Sequence, residues 1–156
     1  VVQVLVLLAQ GQGLDLVRPD VQLHQVGIIA DVQAAQLGEA DIKTLKAYLA
    51  ACDIFCFPSI TKNEAFGLAL AEGMYYGKPA VTFTIPGSGV NYVCLNGEDG
   101  IEVPNRDVRA YADAMIKLAD SNELREKYGK AGKKRVEENF LDTQFKNNVL
   151  KVVGTL

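Results

Sequence analysis

Pro58-Ser59-Ile60-Thr61-Lys62-Asn63-Glu64-Ala65-Phe66-Gly67-Leu68-Ala69-Leu70-Ala71-Glu72-Gly73 is the stretch that decides the fold. Before it stands Ile54-Phe55-Cys56-Phe57, a continuously apolar run between Asp53 and Pro58, which predicts a strand covered on both faces of a parallel sheet. Ligands gather at the carboxyl ends of such strands. From Phe66 to Tyr76 the residues are apolar almost all round, so a helix there is expected to be largely buried. It carries one acid, Glu72. A carboxylate in that setting has to be paired or hydrogen-bonded, because an isolated buried charge costs several kcal/mol. No basic residue lies within a turn, so its partner is expected to be distant in the chain or a ligand with hydroxyls. Glu64, eight positions earlier, falls in or just before the first helical turn, where free N–H groups and the positive dipole end attract anions. Each glutamate alone reads as a solvated side chain or a helix cap. Both together, with Phe66-Gly67 between them and Pro58-Ser59 ahead, read as a ligand site.

Pro-Ser, a short loop, Glu-x-Phe-Gly-x-x-x-x-Glu and then Gly77-Lys78-Pro79-x-Val81 resemble the donor-binding signature of retaining glycosyltransferases of the GT-B fold, the large family four (group 1). The resemblance runs from about Leu45 to about Phe140. It implies a Rossmann-like α/β domain, a parallel sheet with helices on both faces, forming the nucleotide-sugar donor half of a two-domain enzyme. It also implies roles. Glu64, the catalytic candidate, contacts the transferred sugar; the backbone around Ala65, Phe66, Gly67 and Leu68 meets sugar hydroxyls and phosphates; Glu72 holds the ribose, and Ser59 stands beside the site. The implied donor is a UDP- or GDP-sugar, with no metal ion. Transfer is expected on the front face with retention, the departing phosphate assisting the acceptor in place of a protein nucleophile. A glycosidase pair of carboxylates is disfavoured because Glu72 belongs to an apolar helix.

With 156 residues the chain is expected to form a single donor-binding domain, residues 1–156, burying about two-thirds of its unfolded surface, with a C-terminal helix over 141–156. The acceptor-binding half is expected on a separate N-terminal domain, so the isolated chain is expected to be inactive. A net charge of −3 and a pI near 5.2 argue against nucleic acid, which requires a concentrated basic face. The late Lys and Arg residues alternate with Glu123, Glu126, Glu137 and Glu138 and read as solvated helix faces. Cys52, Cys56 and Cys94 have no metal-finger spacing and read as reduced thiols of a cytoplasmic protein. Val1 to Ala9 is too short for a membrane span and lacks a charged leader; the resemblance implies a cytoplasmic full-length protein, peripheral to a membrane, that acts on a lipid-linked or saccharide acceptor.

Val1 to Leu8 reads as a buried strand. Gln10-Gly11-Gln12-Gly13 follows it, but Leu16 stands where a dinucleotide fingerprint needs glycine, so a nicotinamide cofactor is rejected. Seven of the eight glutamines lie at or before Gln36. Val26 to Ile29 is expected as the next strand, and His24 is left outside the site. Asp41 to Ala50 reads as a helix with Ile42, Leu45, Tyr48 and Leu49 on one face and Ala40 or Asp41 near its cap. Gly77-Lys78-Pro79 ends the motif helix, and Ala80 to Phe83 is the next strand. Thr84 to Val90 is a second candidate ligand loop, with glycines that let backbone N–H groups approach an anion. The resemblance adds Gly87, Ser88 and Gly89 to the donor-binding set. The family's common Gly-Gly-then-Glu is replaced here by Val90-Asn91-Tyr92. Ile101 to Val103 reads as a strand ending at Pro104. Asp107 is expected to cap a helix with Tyr111, Ala112, Met115, Ile116 and Ala119 on one face, and Ser121 the helix after it. The last stretch has Phe145, Val149, Val152 and Val153 at helical spacing, expected either to cross to the partner domain or to cover this one.

The family's donor half normally opens with a further strand-helix unit whose arginine and lysine clasp the diphosphate; that unit is not recognised within these 156 residues, so the isolated chain is expected to bind donor weakly. The alternative to an enzyme is a noncatalytic Rossmann-like ligand-binding or interaction module, since one fold hosts many functions. A flavodoxin-like receiver or flavin domain is disfavoured because the turn after the first strand offers neither acid nor hydroxyl.

Overall fold

The computed structural model describes residues 2–6, 32–36 and 42–154. Five strands, β1 (Val2–Val6), β2 (Val32–Gln36), β3 (Ile54–Phe57), β4 (Ala80–Phe83) and β5 (Gly100–Val103), form one sheet in the order β2-β1-β3-β4-β5. Every neighbouring pair is parallel, with Leu5 and Ala80 on either side of Phe55. The order reverses between β1 and β3. In open α/β sheets the ligand crevice forms at such a reversal, beyond the carboxyl ends of the strands, and there the segment after β3 emerges.

Six helices accompany the sheet among the described residues: α1 (Ile42–Ala51), α2 (Leu68–Tyr75), α3 (Val90–Val93), α4 (Val108–Asp120), α5 (Asn122–Asn139) and α6 (Asp142–Val153). β3 is buried at all four positions, as its unbroken apolar run requires. Side chains alternate along a strand. Phe55 and Phe57 therefore share one face, their rings 6.4 Å apart, and α2 lies against it: a Cβ at Gly73 would come 2.7 Å from the Phe55 ring. Cys56 points to the other face, the side that Tyr111 of α4 covers. The Tyr111 hydroxyl donates to Val81 O at 2.7 Å, and its ring packs on Phe83 with centroids 4.7 Å apart. Helices thus cover both faces.

Local signals act as expected at several ends. Asp107 accepts from Ala110 N–H at 2.9 Å and Ser121 from Leu124 N–H at 3.1 Å, so both caps form. At the end of α2, Gly77 takes φ +73°, with Gly77 N–H donating to Met74 O and Lys78 N–H to Gly73 O, the paired closure that a left-handed glycine permits.

Several expectations are corrected. The motif helix starts at Leu68 rather than Phe66, because Gly67 at φ +90° leaves the right-handed region. The buried stripe of α4 is Tyr111, Ala114 and Leu118, whereas Ala112 and Ile116 are only half-buried. On α1 only Leu49 is buried, and Ile42 and Tyr48 are exposed. The C-terminal helix α6 buries no residue, and Phe145 is 67% exposed, so it does not cover this domain. A strand forms at Val32–Gln36, within the glutamine-rich part of the chain. Val26 to Ile29, His24, Gln10 to Gly13 and the Ala40-Asp41 cap lie outside the described residues, while the first predicted strand is observed as Val2–Val6.

Candidate active site

The carboxyl end of β3 leads into Pro58 and Ser59, both buried. The Ser59 hydroxyl is enclosed without a hydrogen-bond partner. The chain then turns, Glu64 N–H donating to Thr61 O at 3.2 Å, and enters α2 through Gly67. The left-handed backbone at Gly67 turns its own N–H back onto Glu64, whose Oε1 accepts it at 2.9 Å. No side chain caps α2, so the N–H groups of its first turn have no partner within the helix. Glu64 is half-buried and stands at the positive end of the α2 dipole, which favours a carboxylate or a bound anion. One of its oxygens is engaged with Gly67, and an ionised carboxylate has further acceptor sites for a ligand hydroxyl.

The loop after β4 is bound to this turn. Ser88 Oγ donates to Glu64 O, and Gly89 N–H donates to Ala65 O at 2.8 Å. A Cβ at Gly89 would run into Ala65 O, so only glycine permits this approach. Gly87, at φ +81°, forms the open tip, where a Cβ would meet nothing within 4 Å. Asn91 braces the loop from below: its Oδ1 accepts from Ile85 N–H at 2.7 Å and its Nδ2 donates to Phe83 O at 2.9 Å. A third loop joins beyond β5, where Asn105 Nδ2 donates to Ile60 O at 3.1 Å. Asn91 and Asn105 escape a reading of local sequence. Asn91 registers there only as a departure from the family pattern, and Asn105 as a residue after a strand-ending proline.

Glu72 requires a correction. It is exposed, on a stripe of α2 with Leu68 (73% exposed) and Tyr75 (44% exposed), so it needs no buried partner. The inward positions of α2 are Leu70, Ala71, Gly73 and Met74; apolar composition all round concealed a solvent-facing side. Glu72 faces an open groove of about 470 Å³, lined chiefly by Ile42, Leu45, Phe66, Leu68 and Tyr75. The Phe66 ring contributes to that groove but also packs edge-to-face on Phe140, centroids 5.3 Å apart. Glu64, Ala65 and the Ser88-Gly89 loop are therefore brought together directly, while Glu72 sits in the groove beside them. Among the described residues, no three His, Cys, Asp or Glu side chains are grouped to hold a metal ion. No helix there is long and apolar enough to cross a membrane.

The sequence model of the glycosyl transferases group 1 matches residues 2–135, which takes in every element from β1 to the last turns of α5. The chain belongs to the group 1 glycosyl transferases. Among relatives, the D-rhamnosyltransferase WbpZ of Pseudomonas aeruginosa is 35% identical over 104 residues, covering 67% of this chain and 27% of that protein. A phosphatidyl-myo-inositol mannosyltransferase of Mycobacterium leprae is 36% identical over 100 residues, 64% of this chain and 26% of its own length. This group 1 chain therefore spans about a quarter of the length of these relatives. Its fold is that of GT-B glycosyltransferases: the structure of Anabaena Alr3699/HepE in complex with UDP and glucose superposes with a TM-score of 0.66 over 86% of this chain and 35% of that one, at 17% identity.

Proposed function

We propose that this chain is the donor-binding domain of a retaining glycosyltransferase. In this reading it takes a sugar from a UDP- or GDP-sugar to a saccharide or lipid-linked acceptor, in cytoplasmic biosynthesis of a polysaccharide or glycoconjugate. The observation that carries the reading is the Glu64–Gly67 turn, bound to Ser88 and Gly89 at the carboxyl end of the central strand. The relatives' names, a rhamnosyl and a mannosyl transferase, the latter acting on a phospholipid headgroup, support the substrate classes, and the UDP and glucose of the Anabaena complex support the donor.

The chemistry follows from the turn. Breaking the bond between the sugar C1 and the diphosphate oxygen leaves negative charge on the phosphate. The first-turn N–H groups of α2 and its dipole stabilise that charge, a role that calls for no metal ion. Glu64 accepts from a sugar hydroxyl and orients the ring, Ser59 and the Gly87-Ser88-Gly89 backbone border the phosphates, and Glu72 accepts from the two ribose hydroxyls in its groove. The acceptor oxygen bonds to C1 on the face the phosphate leaves, its proton passes to that phosphate, and configuration is retained. The acceptor is held by an N-terminal domain of the longer protein, so the isolated chain binds donor without turning it over.

The test is a titration with UDP, GDP and ADP followed by backbone amide shifts. Shifts confined to residues 58–73 and 84–91 for one nucleotide, weakened in Glu72→Gln, are expected. The absence of shifts with all three at millimolar concentration leaves a half-site that needs a further strand-helix unit, or a noncatalytic module; a chain extended upstream gains the shifts in the first case, and its failure to do so overturns the reading.

A further inference from the structure

Arg135, near the C-terminal end of α5, lies outside the loops assigned to the donor, yet its side chain is only 20% exposed and reaches to α3 and its flank. Its Nε donates to Val93 O at 3.0 Å and its NH2 group to Tyr92 O. The guanidinium lies 5.4 Å from the Tyr92 ring centroid and 5.6 Å from that of Phe140. It is 3.7 Å from Asp99 Oδ2, and the other oxygen of this buried carboxylate accepts from Leu95 N–H at 2.6 Å. The planar guanidinium thus holds the last carbonyls of α3 and the chain just beyond.

The opposite end of the same four-residue helix holds the site. Gly89 caps α3, accepts from Tyr92 and Val93 N–H at 2.9 Å, and donates its own N–H to Ala65 O. One turn of helix is all that separates the Arg135 contacts from the Gly89–Ala65 bond. A second connection runs parallel to it, since Phe140, stacked against the same guanidinium, packs on Phe66 of the Glu64 turn.

We propose that Arg135, with Phe140, is a positioning residue: it fixes α3 and so sets the separation of the two ligand loops that meet at Glu64. Lysine cannot replace it, because one ammonium cannot address two carbonyls and a carboxylate in this planar arrangement. Arg125 offers a control at the other end of α5. Its NH1 donates to Leu118 O at 2.7 Å and Ala119 O at 2.6 Å, the same kind of bond, remote in the chain from either loop.

The test compares Arg135→Lys, Arg135→Gln and Arg125→Lys by amide hydrogen exchange in the 156-residue chain. Arg135→Lys keeps the charge beside Asp99, whereas Arg135→Gln removes it. Exchange at Gly89 is expected to quicken about tenfold in Arg135→Lys while Val81 in β4 exchanges as before; in Arg125→Lys, Gly89 is unchanged relative to Val81. If Gly89 and Val81 change by the same factor in each variant, Arg135 serves stability alone and the proposal falls. A second arm rests on the donor reading: the dissociation constant for UDP or GDP rises about tenfold in Arg135→Lys and not in Arg125→Lys, about 1.4 kcal/mol. Should the unsubstituted chain bind neither nucleotide, the result bears on the donor reading alone, and the exchange comparison still decides the role of Arg135.

Discussion

The hydroxyl of Ser88 donates to the backbone carbonyl of Glu64, joining loops 24 residues apart. The same oxygen accepts from Val90 N–H at 3.2 Å, so one serine both closes the cleft side of the loop and starts α3. Ser88→Ala removes the bond to Glu64 and leaves the Val90 N–H without this acceptor. It is expected to lower unfolding stability by about 1 kcal/mol, measured by urea denaturation, and to weaken nucleotide binding in the same titration.

Glu64 has two separable features, an acceptor for Gly67 N–H and a negative charge. Glu64→Gln keeps an acceptor oxygen at the distance that now holds Gly67 (2.9 Å), so its unfolding midpoint is expected to stay close to that of the parent chain. Glu64→Ala loses the bond and about 1 kcal/mol. If the carboxylate contacts the donor sugar, both variants lose affinity for the sugar nucleotide relative to the bare nucleotide; equal affinities for the two ligands in Glu64→Gln would remove Glu64 from the sugar site.

At Gly73 the helix α2 lies on the Phe55 ring, and a methyl group would sit 2.7 Å from its Cγ. Phe55 is fully buried between β1 and β4 and has nowhere to retreat. Gly73→Ala is therefore expected to destabilise by about 1–3 kcal/mol, despite alanine's higher helix propensity. A stability unchanged or raised in urea denaturation would show that α2 can lift from the sheet.

Burial pushes Cys52 up from the ordinary 9.0 to about 11 and Cys56 up to about 12; desolvation likewise raises Cys94 well above its ordinary value. Unfolded thiols lose their protons near 9.0, so between that value and the native ones the folded state binds more protons. Stability present in full below about pH 9 is expected to fall as pH rises toward 11 to 12, seen as a declining urea midpoint. At about pH 8 a thiol-specific disulfide reagent is expected to label these cysteines only after unfolding.

The apolar residues of α6 contribute nothing to this domain's core, for no α6 residue is buried. Phe145→Ser and Leu150→Ser are expected to shift unfolding stability by no more than about 0.5 kcal/mol. A loss of several times that would mean that α6 packs on the domain in solution.

Much of the scaffold is legible along the chain. Ile54 to Phe57 is an unbroken apolar run closed by Pro58, and Ala80 to Phe83, apolar but for Thr82, follows Gly77-Lys78-Pro79; both form strands buried at every position. Asp107 and Ser121 announce their helices by a bond that reaches only three residues. β2 was not legible: Val32-Gln33-Ala34-Ala35-Gln36 has one β-branched residue, and it is a strand because β1 offers it a ladder. Propensity yields there to tertiary pairing.

The sequence by itself determined a strand that must be buried and, just after it, the candidate pair Glu64 and Glu72 on either side of Phe66-Gly67. These follow from interactions between residues close along the chain. Only the tertiary structure decided that Glu72 faces solvent, that Ser88 and Gly89 close on Glu64 and Ala65, and that Arg135 grips α3 from 42 and 43 residues away. An apolar helix can be covered from any side, and a loop can be held by any donor within reach. The packing of α5 against α2 and α3 makes those choices, and it depends on contacts that no local pattern encodes.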